Sequence, residues 1–144
     1  MTRFDVQNPE YEQTVRASFA KQGFMAFLGA QLTAVSPGEI IIELPVSANL
    51  SQQHGFVHAG ATTAVVDSAC GYAALTLQPP GSEVVTVEFK LNLLAPALGV
   101  KMIAVGRVVR PGRTLTVCQG ELFGEDKTGA RKRCAIMTAT MIRR

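Results

Sequence analysis

The chain has 144 residues, of which 47% are hydrophobic and 17% charged, a balance that suits one ordinary globular domain and excludes a disordered polyampholyte. Aromatic residues are scarce and tryptophan is absent, so the core must be built from Ala, Val, Leu and Ile. Charge is uneven: residues 1–100 hold 4 Lys/Arg against 8 Asp/Glu, and residues 101–144 hold 10 against 3. A basic half suits a phosphate-bearing ligand, a nucleic acid or a solvated face. It lacks the interleaved aromatics of a nucleic-acid surface, so no nucleic-acid partner is expected.

The N-terminal stretch MTRFDVQNPEYEQ has no apolar run suited to a signal peptide. Three cysteines, Cys70, Cys118 and Cys134, form no CxxC pair. Neither a disulfide framework nor a metal site is expected, and a cytoplasmic location is.

In chain order, Asn8 and Pro9 read as an N-cap and first helical residue, followed by Tyr11, Val15 and Phe19 at helical spacing. The pattern predicts an N-terminal helix over 8–22, ended by Gly23. Segments 29–35 and 39–46 read as strands joined at Ser36-Pro37-Gly38. A polar loop over 47–57 leads into HAGATTAVVDSACGYAALTL, residues 58–77. This segment is apolar or small on every face but carries Asp67 at its middle. It reads as a helix surrounded by protein, not one crossing a membrane. In VVTVEFKLNLL, Val85, Val87, Phe89, Leu91 and Leu93 alternate with Thr86, Glu88, Lys90 and Asn92, which predicts a strand of continuous period two. Strands over 100–109, 114–123 and 133–142 complete the chain. The whole of 1–144 is expected to form a single α+β domain, with about six antiparallel strands around one long helix and an edge strand free to pair with a second copy.

The chemistry-bearing residues gather at the start of that helix. The first amides of a helix lack intrahelical partners and lie at the positive end of its dipole. They are suited to a carbonyl oxygen gaining negative charge, and Ala59 and Gly60 are small enough to let a substrate approach. Asp67 is the only charged residue between His58 and Glu83. A carboxylate so desolvated is either a working group or a structural crosslink. Ala59 and Asp67 are eight residues apart, about 12 Å along a helix. A reacting carboxylate must come within about 3 Å of its target. If both act on one carbonyl, Asp67 must come from a second copy.

Cys70, one turn after Asp67, reads as a small buried residue, since nothing nearby would activate it. Gly55 is expected to supply an unusual backbone angle, and His54 to shape the loop or line the pocket. Phe56, Val57 and the N-terminal helix are expected to line a pocket. Arg110 and Arg113, flanking a turn, can clamp phosphates, with Lys90 and Arg131-Lys132-Arg133 as weaker choices.

The segments PGEIIIELPV, HGFVHAG, AVVDSACGYAA, TVEFKLNLLAPA and GRVVRPGRTLTVCQGELF, in this order and spacing, resemble the hotdog-fold thioesterases, specifically the PaaI-like acyl-CoA branch. The resemblance covers nearly the whole chain. It implies hydrolysis of an acyl-CoA thioester without a metal or redox cofactor, by a homodimer that pairs again as a dimer of dimers. It implies that the Ala59 amide forms the oxyanion hole and that Asp67 is the base or nucleophile. Gln52, in place of the usual Asn, would position the thioester or water, and Thr86 would assist the carboxylate. His58 would open the helix and orient the loop. The family's His-Gly-Gly reads His58-Ala59-Gly60 here, which sets a methyl group beside the oxyanion site. A non-catalytic acyl-CoA sensor on the same fold is the competing reading, against which the retained Asp67 argues.

Overall fold

The computed structural model describes residues 4–144; positions 1–3 of the expected 1–144 span lie outside the described residues. The first helix is shorter than the expected 8–22 and its N-cap is Glu10, not Asn8; Asn8 instead shapes the turn before it, its Oδ1 accepting from the Glu10 N–H at 3.0 Å. Helix α1 (Tyr11–Phe19) follows and buries Val15. The helical region does not end at Gly23. That residue opens a second short helix, α2 (Gly23–Leu28), which buries Met25 and Leu28 at i,i+3 spacing. Gly29 closes it in the left-handed conformation: the Gly29 N–H donates to the Ala26 carbonyl and the Ala30 N–H to that of Met25.

Strands β1 (Gln31–Ser36) and β2 (Glu39–Pro45) form a hairpin. A short 3-10 turn at Ala48–Leu50 precedes the central helix α3 (Ala59–Leu75). Strands β3 (Val84–Leu93), β4 (Lys101–Arg110), β5 (Leu115–Glu125) and β6 (Arg131–Arg143) complete one antiparallel sheet in the order β1-β2-β4-β5-β6-β3. The sheet wraps α3, as the surrounded-helix reading requires. A β-carbon added at Gly106 would lie 2.3 Å from the Ala69 backbone, and one at Gly120 would lie 2.4 Å from the Val66 side chain. Only glycine lets the helix settle so low on β4 and β5. The far end of α3 is tied down by Thr76, whose hydroxyl donates to the Ala73 carbonyl and accepts from the Gly38 N–H at 2.8 Å.

The period of β3 is not continuous. Its register against β6 shifts between Thr86 and Glu88, and the bulge at Val87 exchanges the faces. Thr86 pairs with buried Met141 and faces α3, and beyond the bulge Phe89 and Leu91 take that face opposite Ala139 and Met137. A strict alternation would have set Thr86 opposite to Leu91. At the far edge of the sheet β3 has no second neighbour, and Val87 and Phe89 remain 54% and 43% exposed. Among the described residues no helix is long and apolar enough to cross a membrane.

Candidate active site

The loop before α3 is a tight turn. The Gln52 N–H donates to the Phe56 carbonyl at 2.8 Å, the Gly55 N–H returns to the Gln52 carbonyl at 3.1 Å, and Gly55 takes a φ of +85°. The Gln52 side-chain carbonyl accepts from the His54 N–H, so the Gln52 side-chain NH2 is the group left for a ligand. Gly55 thus has the backbone role expected of it, and His54 sits exposed in the turn.

His58 is the N-cap of α3. Its Nδ1 accepts from the Gly60 N–H at 2.8 Å, which leaves Nε2 as the position for a ring proton. The Ala61 and Thr62 amides both donate to the His58 carbonyl. With Gly60, Ala61 and Thr62 occupied, the Ala59 N–H is left at the helix start with no acceptor among the described residues. It opens into a cavity of about 500 Å³ lined by Gln52, Phe56, Val57, His58, Ala59 and Thr62 on one side and Leu93–Ala97 on the other.

Asp67 is half-buried on the same helix. Its Oδ1 accepts from the Thr86 hydroxyl at 2.8 Å, the contact that the β3 bulge makes possible. Burial raises the Asp67 carboxyl above the ordinary carboxylate range, and the Thr86 hydrogen bond partly offsets that rise. Asp67 and Thr86 open into a different cavity, of about 600 Å³, lined by α1, α3, Gly81–Glu83 and the start of β3. One chain therefore does not bring all the expected site residues together. Gln52, Phe56, Val57, His58 and Ala59 share one cavity, and Asp67 and Thr86 share another. The expected pocket of Phe56, Val57 and the N-terminal helix is likewise divided, because α1 borders the Asp67 cavity and not the one that Phe56 and Val57 line. His54, Gly55 and Gly60 line neither.

The charged residues separate clearly. Arg131 pairs with Glu125 at 2.7 Å, Arg133 with Glu121 at 3.1 Å, and Arg107 bridges Glu39 and Glu121. These belong to a ladder across the outer sheet face. Lys90, Arg110 and Arg113 are exposed and have no ion pair among the described residues. Arg110 and Arg113 flank the β4–β5 turn, at the end of the sheet opposite Ala59. Cys70 and Cys118 are buried, free thiols. Desolvation pushes the Cys70 thiol far up and that of Cys118 to about 12, so neither supplies a thiolate near neutrality.

Sequence reasoning missed one group. Ser18 of α1 and Gln22, the N-cap of α2, meet Tyr72 of α3 inside the Asp67 cavity. The helical stripe Asp67, Ser68, Gly71, Tyr72 and Leu75 was a usable signal, but nothing in the sequence shows that α1 covers it.

The family model of the thioesterase superfamily matches residues 54–130, a span that includes the end of the loop, Ala59, Asp67 and Thr86 but not Gln52. A solved thioesterase family protein of Silicibacter pomeroyi is 46% identical, with a TM-score of 0.90 over 92% of this chain and 97% of that one. Human acyl-coenzyme A thioesterase 13 is 27% identical over 112 residues, 76% of this chain and 79% of its own. The PaaI protein of E. coli, from the phenylacetic acid degradation operon, shares the fold with a TM-score of 0.83 at 19% identity, over 96% of each chain. With six antiparallel strands wrapped on one long helix and this family match, the chain belongs to the thioesterase superfamily and has its hotdog fold.

Proposed function

We propose that the protein hydrolyses an acyl-CoA thioester to the free acid and coenzyme A, as one catalytic domain working in pairs. The observation that carries this reading is the division of the site. A free helix-start amide and a desolvated carboxylate open into different cavities of one chain, while the apolar β3 edge has no neighbour. Pairing two copies along β3 sets their α3 helices side by side and antiparallel, bringing Ala59 of one to Asp67 of the other. The name of the human relative supports the choice of acyl-CoA as substrate.

In this reading the Ala59 N–H donates to the thioester carbonyl oxygen and stabilises it as it becomes negative. The partner subunit's Asp67 takes a proton from water, whose oxygen bonds to the carbonyl carbon. The C–S bond then breaks, the sulfur leaves as the coenzyme A thiolate, and the proton passes to it. Direct attack by Asp67, followed by hydrolysis of the resulting anhydride, gives the same products. Thr86 holds the carboxylate, Gln52 positions the thioester or water, and His58 fixes the amide cluster. Neither route asks for a metal or redox cofactor.

Lys90, Arg110 and Arg113 are among the cations without an ion pair in the described residues, and we assign them to the coenzyme A phosphates. Arg110 and Arg113 reach a thioester at Ala59 only across the pair. Three unpaired cysteines suit a reducing cytoplasm, and a dimer of dimers is the expected assembly.

Release of free thiol from acyl-CoAs, measured beside sedimentation of the protein, tests the proposal. Turnover by a strictly monomeric species, or full turnover after Asp67→Asn, refutes it.

A further inference from the structure

We propose that the cavity beside Asp67 is an acyl pocket shaped for a short acyl group whose far end carries a neutral hydroxyl, read by Gln22, Tyr72 and Ser18. This rests on the hydrolytic reading above and names the substrate class of the same site.

The cavity, about 600 Å³, has chemistry at both ends. At one end is the carboxylate. At the other, the hydroxyl of buried Tyr72 accepts from Gln22 Nε2 at 2.8 Å and shares a hydrogen bond with the Ser18 hydroxyl at 3.2 Å. Phe19 packs edge-on against the Tyr72 ring at 5.9 Å and fixes it. Five residues separate Asp67 from Tyr72 on α3, about 7.5 Å along the axis. That is the reach of an acyl chain of about six carbons and excludes a long one lying straight.

The hydrogen-bond count sets the terminal group. Ser18 and Tyr72 have two hydroxyl protons, and their mutual bond uses one. The second has no acceptor among the described residues, nor has the second Nε2 proton of Gln22, and Gln22 Oε1 has no donor there. The pocket floor therefore offers two donors and one acceptor, the complement of the two lone pairs and one proton of a hydroxyl. A plain alkyl end would strip water from these atoms and return no hydrogen bond. An anionic end is disfavoured, because Asp67 and Glu83 both border the cavity against Lys21.

The test compares kcat/KM for hexanoyl-CoA and 6-hydroxyhexanoyl-CoA in the full-length protein and in Gln22→Met, Tyr72→Phe and Ser18→Ala. The parent should favour the hydroxylated substrate by about 10-fold, and each substitution should pull the ratio toward one by about 5–10-fold. Ser18 lies on a partly exposed helix, so its variant reads the same hydroxyl pair if the Tyr72 variant does not fold. A parent ratio at or below one overturns the proposal, as does a ratio unmoved in folded variants. Asp67→Asn serves as a separate arm. Loss of both activities there with an unmoved ratio elsewhere sinks the pocket alone, and retained activity there sinks the catalytic reading.

Discussion

The two cavities of this chain differ in kind. The one at the start of α3 is made of backbone: an amide freed by its neighbours' hydrogen bonds, set beside a turn that Gly55 permits. The one at the middle of α3 is made of side chains: a carboxylate, a hydroxyl from a bulged strand and a polar floor from α1. The first supplies a fixed dipole that mutation hardly reaches, and the second supplies groups that titrate and can be exchanged. Under the proposed mechanism such a split makes each half inert alone and lets each be disabled separately.

The sharpest way to break the comparison is to disable the side-chain half. Asp67→Asn should cost about 10²–10⁴ in kcat for thiol release, the range of a positioned base. Because burial raises the Asp67 carboxyl, the folded chain holds its proton more tightly than the unfolded one. The stability linked to this group is present at low pH and lost as pH rises through the folded-state pKa. Asp67→Asn removes that loss, so its melting temperature at neutral pH should equal or exceed the parent's.

Disabling the backbone half needs removal of an N–H. Proline is tolerated at the first position of a helix, and His58, at φ −61° and ψ 136°, already has the extended backbone that a following proline requires. Ala59→Pro should therefore fold and lose about 10²–10³ in kcat. Mixing the two inactive variants and allowing subunit exchange should restore about a quarter of parental activity, since half the dimers are then mixed and each has one intact site. No recovery, with exchange verified by mass, breaks the two-copy arrangement.

Thr86→Val sharpens the comparison by shifting the carboxylate without removing it. The Thr86 hydroxyl holds the Asp67 carboxyl down, so its loss should raise it further. The acid limb of the kcat/KM profile should move to higher pH, with about a 10-fold loss at neutrality. The smallest effect belongs to the unpaired cations. Arg110→Ala with Arg113→Ala should raise KM for acyl-CoA by about 2–5-fold, and added salt should shrink the difference.

Much of the architecture is legible because local and global signals agree. The strand periods, the turn at Ser36-Pro37-Gly38 and the all-round apolar α3 each specify their element, and Asp67 stands out as the lone charge in that helix. The misses share a cause. α2 was hidden because Gly23, usually a stop, can also begin a helix whose end is set by Gly29. The β3 bulge cannot be read from alternation, since Val87 is apolar and fits either face; register against β6 decides it. The polar floor of the Asp67 cavity depends on α1 crossing α3, which is tertiary information. The hydroxyl of Thr86 on Asp67 was reached through family resemblance, and no local pattern would have found it.

The glycines beneath α3 have a consequence for how this protein can change. Gly106 and Gly120 leave no clearance between helix and sheet, so α3 cannot slide, tilt or rise without losing its seat. Ala59 and Asp67 are thereby held at a constant interval, whatever happens elsewhere. New substrate preferences must come from parts resting on this rigid spine, above all α1. Exchanging that short amphipathic segment, while leaving the spine untouched, is the economical route to redirecting the enzyme.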